Sequence, residues 1–325
     1  MRTVENSSGF LFVGDPHFSS RKPGRRKDKD FQANILKKFE QAITIANERN
    51  LVLVILGDMF DSPKEDSEGL KTRLMRALRK AKHLVVFLLG NHDRHHDKLS
   101  DDDSVAGLEA AGLIDIISTS GPYGVFNING VRIGLGGTPH GEEIPTDVSG
   151  MFEDVKTVVW LTHHDLALEG AYPNSIPTHE ITGCKLVVNG HMHLRKKPRK
   201  EGGTLWFNPG NITRQSIDTI EHIPHVYSFN ETGKMEAFEL DHEKDVFDLT
   251  GRLVDIIREE REEDTETLES AFVQLIQSED SADFKVTDDG SVIRELIEEK
   301  FETEDTDRQV RSLVVGLFKE VMEAA

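Results

Sequence analysis

The apolar residues of this chain fall into two rhythms, and the change between them organises the sequence. Positions 9–13 form a short apolar run that stops at Asp15, and 51–56 and 84–88 are two more. Runs this short, rich in branched and aromatic residues, predict strands covered on both faces rather than helices. Between the runs the period lengthens. Phe31, Ile35, Phe39, Ala42 and Ala46 recur at helical spacing over 31–49, and a second helix is predicted over 70–82. Positions 105–111, closed by Gly112, read as a third, short helix. Strands alternating with helices in this order predict a layered α/β domain.

Further on the strands follow one another. Positions 126–133 carry Asn129-Gly130 between alternating segments, a hairpin signature. Short strands are predicted at 158–161, 186–188, 204–207 and 226–229, and Glu231-Thr232-Gly233 turns the chain into a last one over 235–240. The expected fold class is therefore α/β, with two packed mixed β-sheets flanked by helices. After Leu240 helical patterns take over at 247–261, 265–277, 291–301 and 306–322, the last repeating Val310, Leu313, Val314, Leu317, Phe318 and Val321. This places a boundary near Leu240, between a main domain of residues 1–240 and a mostly helical C-terminal domain of 241–325.

Composition sharpens that division. The chain has 325 residues, 37% hydrophobic and 30% charged, enough apolar material for a sizeable core. Its net charge of −19 is unevenly spread. From Asp241 onward there are 10 Lys and Arg against 26 Asp and Glu, which leaves 29 against 32 for the main domain. The acidity belongs to the C-terminal quarter, and the main domain is near neutral. No apolar run approaches the roughly 20 residues of a membrane span. A single cysteine, Cys184, and a start without a basic, then apolar, leader make the cytoplasm the expected location.

Candidate chemistry gathers where strands end. Five motifs fall there: Asp15-Pro16-His17, Gly57-Asp58-Met59-Phe60-Asp61, Gly90-Asn91-His92-Asp93, Thr162-His163-His164 and Gly190-His191-Met192-His193. Asp-x-His and His-x-His at period two aim both side chains to one side of an extended segment, so two ligands can grip one metal ion. A glycine before Asp58, Asn91 and His191 lets the backbone turn where a side chain would crowd the site. Loops at the ends of parallel strands gather at one sheet edge, so the five can converge on a single crevice. Asp15, His17, Asp58, Asn91, His163, His191 and His193 would then supply seven ligands, too many for one ion and suited to two that share a carboxylate. Carboxylate, amide oxygen and imidazole together suit Mn²⁺, Fe or Zn²⁺ better than a thiolate-seeking metal; the expected cofactors are two divalent ions, Mn²⁺ first, with Fe, Zn²⁺ or Mg²⁺ as alternatives. Two ions roughly 3.5–4 Å apart can clamp both the attacking and the leaving oxygen of a phosphoryl transfer.

In this order the motifs resemble those of the calcineurin-like metallophosphoesterase superfamily, and Asn208-Pro209-Gly210 resembles its Asn-Pro-Gly-Ser element, with Asn211 where Ser is usual. The resemblance spans roughly residues 9–240. It implies that Asp15, His17, Asp58 and His193 hold one metal ion, that Asp58, Asn91, His163 and His191 hold the other, and that Asp58 bridges. It also implies that His92 is a non-ligand acid that protonates the leaving oxygen, with Asp93 nearby to orient it. The resemblance favours His163 over His164; chemically both remain open.

Within that superfamily the chain looks most like the Mre11/SbcD-type DNA nucleases, including versions encoded by bacteriophages, in which case the host cytoplasm would be its location. Gly57-Asp58-Met59-Phe60-Asp61 is close to their second motif, and positions 104–112 resemble the helix that follows their third. Charge supports a polyanionic substrate independently. Arg21, Lys22, Arg25, Arg26, Lys27 and Lys29 follow the first motif, and Arg195, Lys196, Lys197, Arg199 and Lys200 follow the last. A basic rim of this kind would grip phosphates on either side of the scissile one, without reading bases. His95 and His96 are expected in solvent, 101–103 as a solvated loop and helix cap, Trp160 and Trp206 in the core, and the role of His140 is open. The resemblance further implies a C-terminal region that caps the substrate cleft or docks on a Rad50/SbcC-type ATPase, and a homodimer. The net of −16 there speaks against direct DNA contact by that region.

Overall fold

A computed structural model describes residues 2–96, 98–168, 175–216 and 219–248. The four helices expected beyond Leu240, with their ATPase docking, lie outside the described residues. In chain order the elements are β1 (Arg2–Ser7), β2 (Gly9–Val13), α1 (Phe31–Glu48), β3 (Leu51–Ile55), α2 (Glu68–Leu78), β4 (Val85–Leu88), α3 (Ser104–Ala110) and β5 (Ile114–Ile117). There follow β6 (Gly121–Ile128), β7 (Val131–Thr138), β8 (Thr157–Thr162), β9 (Cys184–Asn189), β10 (Arg199–Glu201), β11 (Thr204–Phe207), β12 (His225–Phe229) and β13 (Met235–Glu239).

Two sheets hold these strands. One runs β13-β12-β2-β3-β4-β5 and the other β1-β6-β7-β8-β9-β11-β10. β2, β3, β4 and β5 are parallel, as are β7, β8, β9 and β11, while the other neighbours, apart from β1 beside β6, are antiparallel. Both sheets are therefore mixed, as expected.

Strand alternation builds the layers. Phe10, Phe12, Val52, Val54, Val86 and Leu88 pack between the sheets against Ile133, Leu135, Val159, Leu161, Leu186 and Val188. The intervening Leu11, Val13, Leu53, Ile55 and Phe87 face the other way, against Ile35, Phe39 and Ala42 of α1 and Leu70 and Leu74 of α2. Trp160 and Trp206 anchor a third cluster with Phe152 and Met192. Every residue of β2, β3 and β4 is buried, which is why these strands read as unbroken apolar runs.

Helix ends follow side-chain caps rather than the apolar pattern alone. Asp30 accepts from the Ala33 amide ahead of α1, and Ser67 from the Leu70 amide ahead of α2. The Ser67 cap starts α2 before its first apolar residue, Leu70. The sequence pattern does not predict β1, β5 or β10. β1 is largely polar and exists through parallel pairing with β6, and β10 is a short basic segment paired with β11.

Candidate metal centre

The five motifs meet at the C-terminal ends of parallel strands, those after β2, β3 and β4 from one sheet and those after β8 and β9 from the other. The backbone there is held in an uncommon conformation. Asp15, His17, Asp58 and His191 all have positive φ, at 33°, 46°, 49° and 68°. Non-glycine residues rarely adopt this region, and such strain collects at functional sites. The glycines serve close approach: a Cβ on Gly57 would lie 2.2 Å from His163 Nδ1, and one on Gly90 2.2 Å from Asp58 Oδ1.

Side chains from all five loops come within reach of one another. His163 Nε2 lies 3.2 Å from Asp58 Oδ2 and 3.0 Å from Asn91 Oδ1. His191 Nδ1 is also 3.0 Å from Asn91 Oδ1, and its backbone amide donates to Asp15 Oδ1 at 3.2 Å. His17 Nε2 meets His193 Nε2 at 3.0 Å and lies 3.6 Å from Asp58 Oδ2. All seven expected ligands therefore belong to one connected cluster. His164 does not: its Nε2 faces the Glu142 carbonyl at 3.0 Å.

Three observations make this cluster fit for cations. Two buried polar atoms, Asp15 Oδ2 and His17 Nδ1, have no hydrogen-bond partner. His163 Nδ1 donates to the Leu56 carbonyl at 2.6 Å, which fixes the ring and leaves Nε2 to face Asp58 and Asn91. Burial opposes protonation of His163, yet Asp58 and Asp15 hold its pKa up at about 10. The carboxylates thus recruit an imidazolium where a metal ion would supply the positive charge. Asp58 is likewise held well below the usual carboxylate range, against the effect of burial, by His163 and His17. Among the described residues, Asp58, His163 and His191 form one set with metal-ligating spacing, and His17, Asp61 and His92 form another.

Asp61 was missing from the expected ligands although it closes the second motif. Its carboxylate lies 3.6 Å from His17 Nδ1 and accepts from Gln215. Its spacing to Asp58 was the available signal; Gln215 lies in no motif. The Asp93 carboxylate accepts the backbone amides of Asp58, Met59 and Gly90 at 2.9, 2.9 and 2.7 Å, bracing the turn that presents Asp58. The Asp61 carbonyl holds His92 at 2.7 Å from Nδ1. Asn208 braces the last motif, donating to the carbonyls of Met192 and Leu194 at 2.8 and 2.9 Å. His140 stands 5.4 Å, ring to ring, from His191. Asp103 takes the expected cap position ahead of α3 but is buried rather than solvated, and its carboxylate pairs with His95 at 2.7 Å.

The basic rim is only partly as expected. Arg21, Arg195 and Lys197 are exposed, and Arg25 and Lys196 are half-buried. Arg195 lies over the Tyr227 ring, 5.6 Å from its centroid. Arg26 is the exception, at 2% exposure, with two bonds to Asp28 and others to the Thr213 and Arg214 carbonyls. It is a buried structural cation, because it found a carboxylate two residues away.

A sandwich of mixed sheets with this strand-end cluster defines a metal-dependent phosphoester hydrolase. The family model for the calcineurin-like phosphoesterases matches residues 9–195, and the chain belongs to that family. Among solved structures, the 5′-nucleotidase precursor from Thermus thermophilus matches with a TM-score of 0.42 and 15% identity, over 71% of this chain and 54% of that one. The chain thus spans about half the length of that nucleotidase. A novel archaeal phosphodiesterase matches with a TM-score of 0.36 and 15% identity, over 71% of this chain and 99% of that one. Comparison with the curated proteins found no match. No helix among the described residues is long and apolar enough to cross a membrane.

Proposed function

We propose that the chain is a two-metal-dependent DNA nuclease of the Mre11/SbcD type, an exonuclease first and an endonuclease second, acting in DNA repair, recombination or replication. One observation carries this reading beyond phosphoester hydrolysis in general. His17 and His193 meet at 3.0 Å, and the segments leaving them carry the exposed cations Arg21 and Arg195. A substrate with several phosphates would be held from both sides of the scissile one, whereas a small phosphoester needs no such reach.

In this reading Asp15, His17, Asp58 and His193 would hold one Mn²⁺-like ion, and Asp58, Asn91, His163 and His191 the other. When bound, the two ions supply Lewis acidity towards the phosphoryl oxygens. The protein positions the rest. The Asp61 carbonyl fixes His92 through Nδ1, and its ring remains half-buried. Protonated His92 can then hand its Nε2 proton to the departing oxygen of the phosphodiester. Asp93, through its three backbone bonds, keeps Asp58 in place.

The test is release of nucleotides from end-labelled single-stranded and duplex DNA, with and without chelator, beside p-nitrophenyl phosphate and cyclic nucleotides. Chelator-sensitive DNA cleavage is expected to lead. Arg195→Gln and Lys197→Gln should each weaken DNA binding and flatten its salt dependence, by about one unit of slope per lost phosphate contact. Faster turnover of the small esters with DNA untouched would make the chain a phosphatase or small-molecule phosphodiesterase instead.

A further inference from the structure

Behind the loop that carries Asp15 and His17 lies a cavity of about 250 Å³, and none of the seven expected metal ligands lines it. Its walls include Arg26, Lys37, Lys38, Arg214, Asp241 and Glu243. We propose that this cavity binds a tetrahedral oxyanion of phosphate size, at a second site distinct from the metal centre.

The argument rests on two buried cations with no hydrogen-bonded carboxylate among the described residues: Asp28 and Glu243 act on Lys38, and Asp28 on Arg214, only through space. Arg26, Lys38 and Arg214 are exposed by only 2%, 3% and 2%. Asp28 neutralises Arg26 through bonds of 2.7 and 2.5 Å, and Asp241 lies 3.5 Å from Lys37. Among the described residues Lys38 and Arg214 have only carbonyl partners. Lys38 donates to Ile212 at 2.8 Å, and Arg214 to Ile220 and Glu243. Arg214 Nε, though inaccessible to solvent, has no partner at all. Buried cations are ordinarily paired, and an unsatisfied buried donor beside an open volume is suited to receive an acceptor such as an anion. A guanidinium fork with an ammonium is the donor set that suits phosphate oxygens. Asp241 and Glu243 on the same walls disfavour a long polyanion and so select a compact one.

The site also reaches the metal loop. Lys38 holds the Ile212 carbonyl, and the Ile212 amide donates to the Gly14 carbonyl at 3.1 Å. Arg26 holds the Thr213 carbonyl at 2.8 Å, and the Thr213 hydroxyl donates to the Pro16 carbonyl, between Asp15 and His17. An anion that draws in Lys38 and Arg214 would therefore tighten the segment that sets these two residues. Free phosphate and the phosphate of a nucleoside monophosphate share the required chemistry.

The experiment uses the full chain with chelator present, so that the metal centre cannot contribute. Inorganic phosphate and 5′-AMP are titrated separately at constant ionic strength against the thermal midpoint and in isothermal calorimetry. Inorganic phosphate should raise the wild-type midpoint by a few degrees, and Lys38→Met should bind it at least tenfold more weakly while Lys38→Arg retains it. A matching shift with 5′-AMP would show that a nucleoside can remain attached, and its absence that the anion is free phosphate; both support the site. Should Lys38→Met fail to fold, wild-type calorimetry decides alone. No heat of phosphate binding, or equal midpoint shifts in wild type and Lys38→Met, would overturn the proposal. DNA cleavage is not a readout here, so failure of the nuclease reading leaves this test intact.

Discussion

His17 and His193 face each other through Nε2 atoms only 3.0 Å apart, although 176 positions separate them in the chain. Two imidazole lone pairs do not sit this close without a proton or a cation between them. If a cation is the resident partner, the folded state binds metal and the unfolded chain does not, and metal then stabilises by mass action. Adding Mn²⁺ or Zn²⁺ to the chelated protein should raise its unfolding midpoint in a concentration-dependent way. The gain is about 2.7 kcal/mol at a hundredfold excess over the dissociation constant. His193→Ala should lose much of that rise. A midpoint indifferent to metal would mean that the two rings share only a proton.

Asp58 and His92 should separate metal binding from turnover. Asp58 is the buried carboxylate nearest both halves of the cluster, 3.2 Å from His163 and 3.6 Å from His17. Asp58→Ala should therefore lose metal as well as activity. His92→Asn should keep both ions and lose roughly 10²- to 10⁴-fold in turnover, the usual contribution of a general acid. Elemental analysis beside rate measurement distinguishes the two. His92 also shares metal-ligating spacing with His17 and Asp61, so loss of one ion from His92→Asn would recast it as a ligand.

How far the sequence revealed this arrangement depended on what kind of contact made it. Strands β2, β3 and β4 were legible because burial on both faces leaves nothing but apolar residues. The cluster was legible because Asp-x-His, His-x-His and the preceding glycines are short-range geometric requirements. β1 was hidden because its pairing with β6, more than a hundred residues away, needs no apolar pattern of its own. Arg26 misled for a related reason. Its sequence neighbourhood is a basic loop, yet Asp28 and the distant Thr213 carbonyl draw it inward. Asp93 sits beside His92 in sequence, but its two oxygens turn to backbone amides of the neighbouring strand end.

Gly90 should be intolerant of even one added methyl group. A Cβ there would meet Asp58 Oδ1 at 2.2 Å and the Asp58 amide nitrogen at 2.6 Å, and the second of these is backbone that cannot step aside. Gly90→Ala should destabilise the fold by about 1–3 kcal/mol, as overpacking does, and weaken metal binding as Asp58 shifts. Gly107 is the control. A Cβ there would meet nothing within 4 Å, and the residue lies inside α3, so Gly107→Ala should be neutral or mildly stabilising. Denaturant unfolding of both variants, with metal titration of the first, measures the contrast. Equal stabilities would show that the Asp58 turn is free to relax.

Lys38 should leave its mark on how stability varies with pH. Burial, with Arg26 and Arg214 adding repulsion, brings its pKa down to about 7 from 10.5. Below about 7 the ammonium is charged in both the folded and the unfolded chain, and the folded state carries the full cost of burying it. Between about 7 and 10.5 the unfolded chain binds more protons at this position than the folded one, so stability rises with pH across that window. Above it both states are neutral and the contribution levels off. At about 1.4 kcal/mol per pKa unit the whole rise is at most about 5 kcal/mol, reduced by whatever water reaches the cavity. In chelated, phosphate-free buffer, urea unfolding of the wild type should therefore show higher stability at pH 9 than at pH 7. Lys38→Met should lack that part of the slope and exceed the wild type at pH 7. Parallel curves for the two proteins would mean that Lys38 is solvated in the folded state, with its charge carried at no cost.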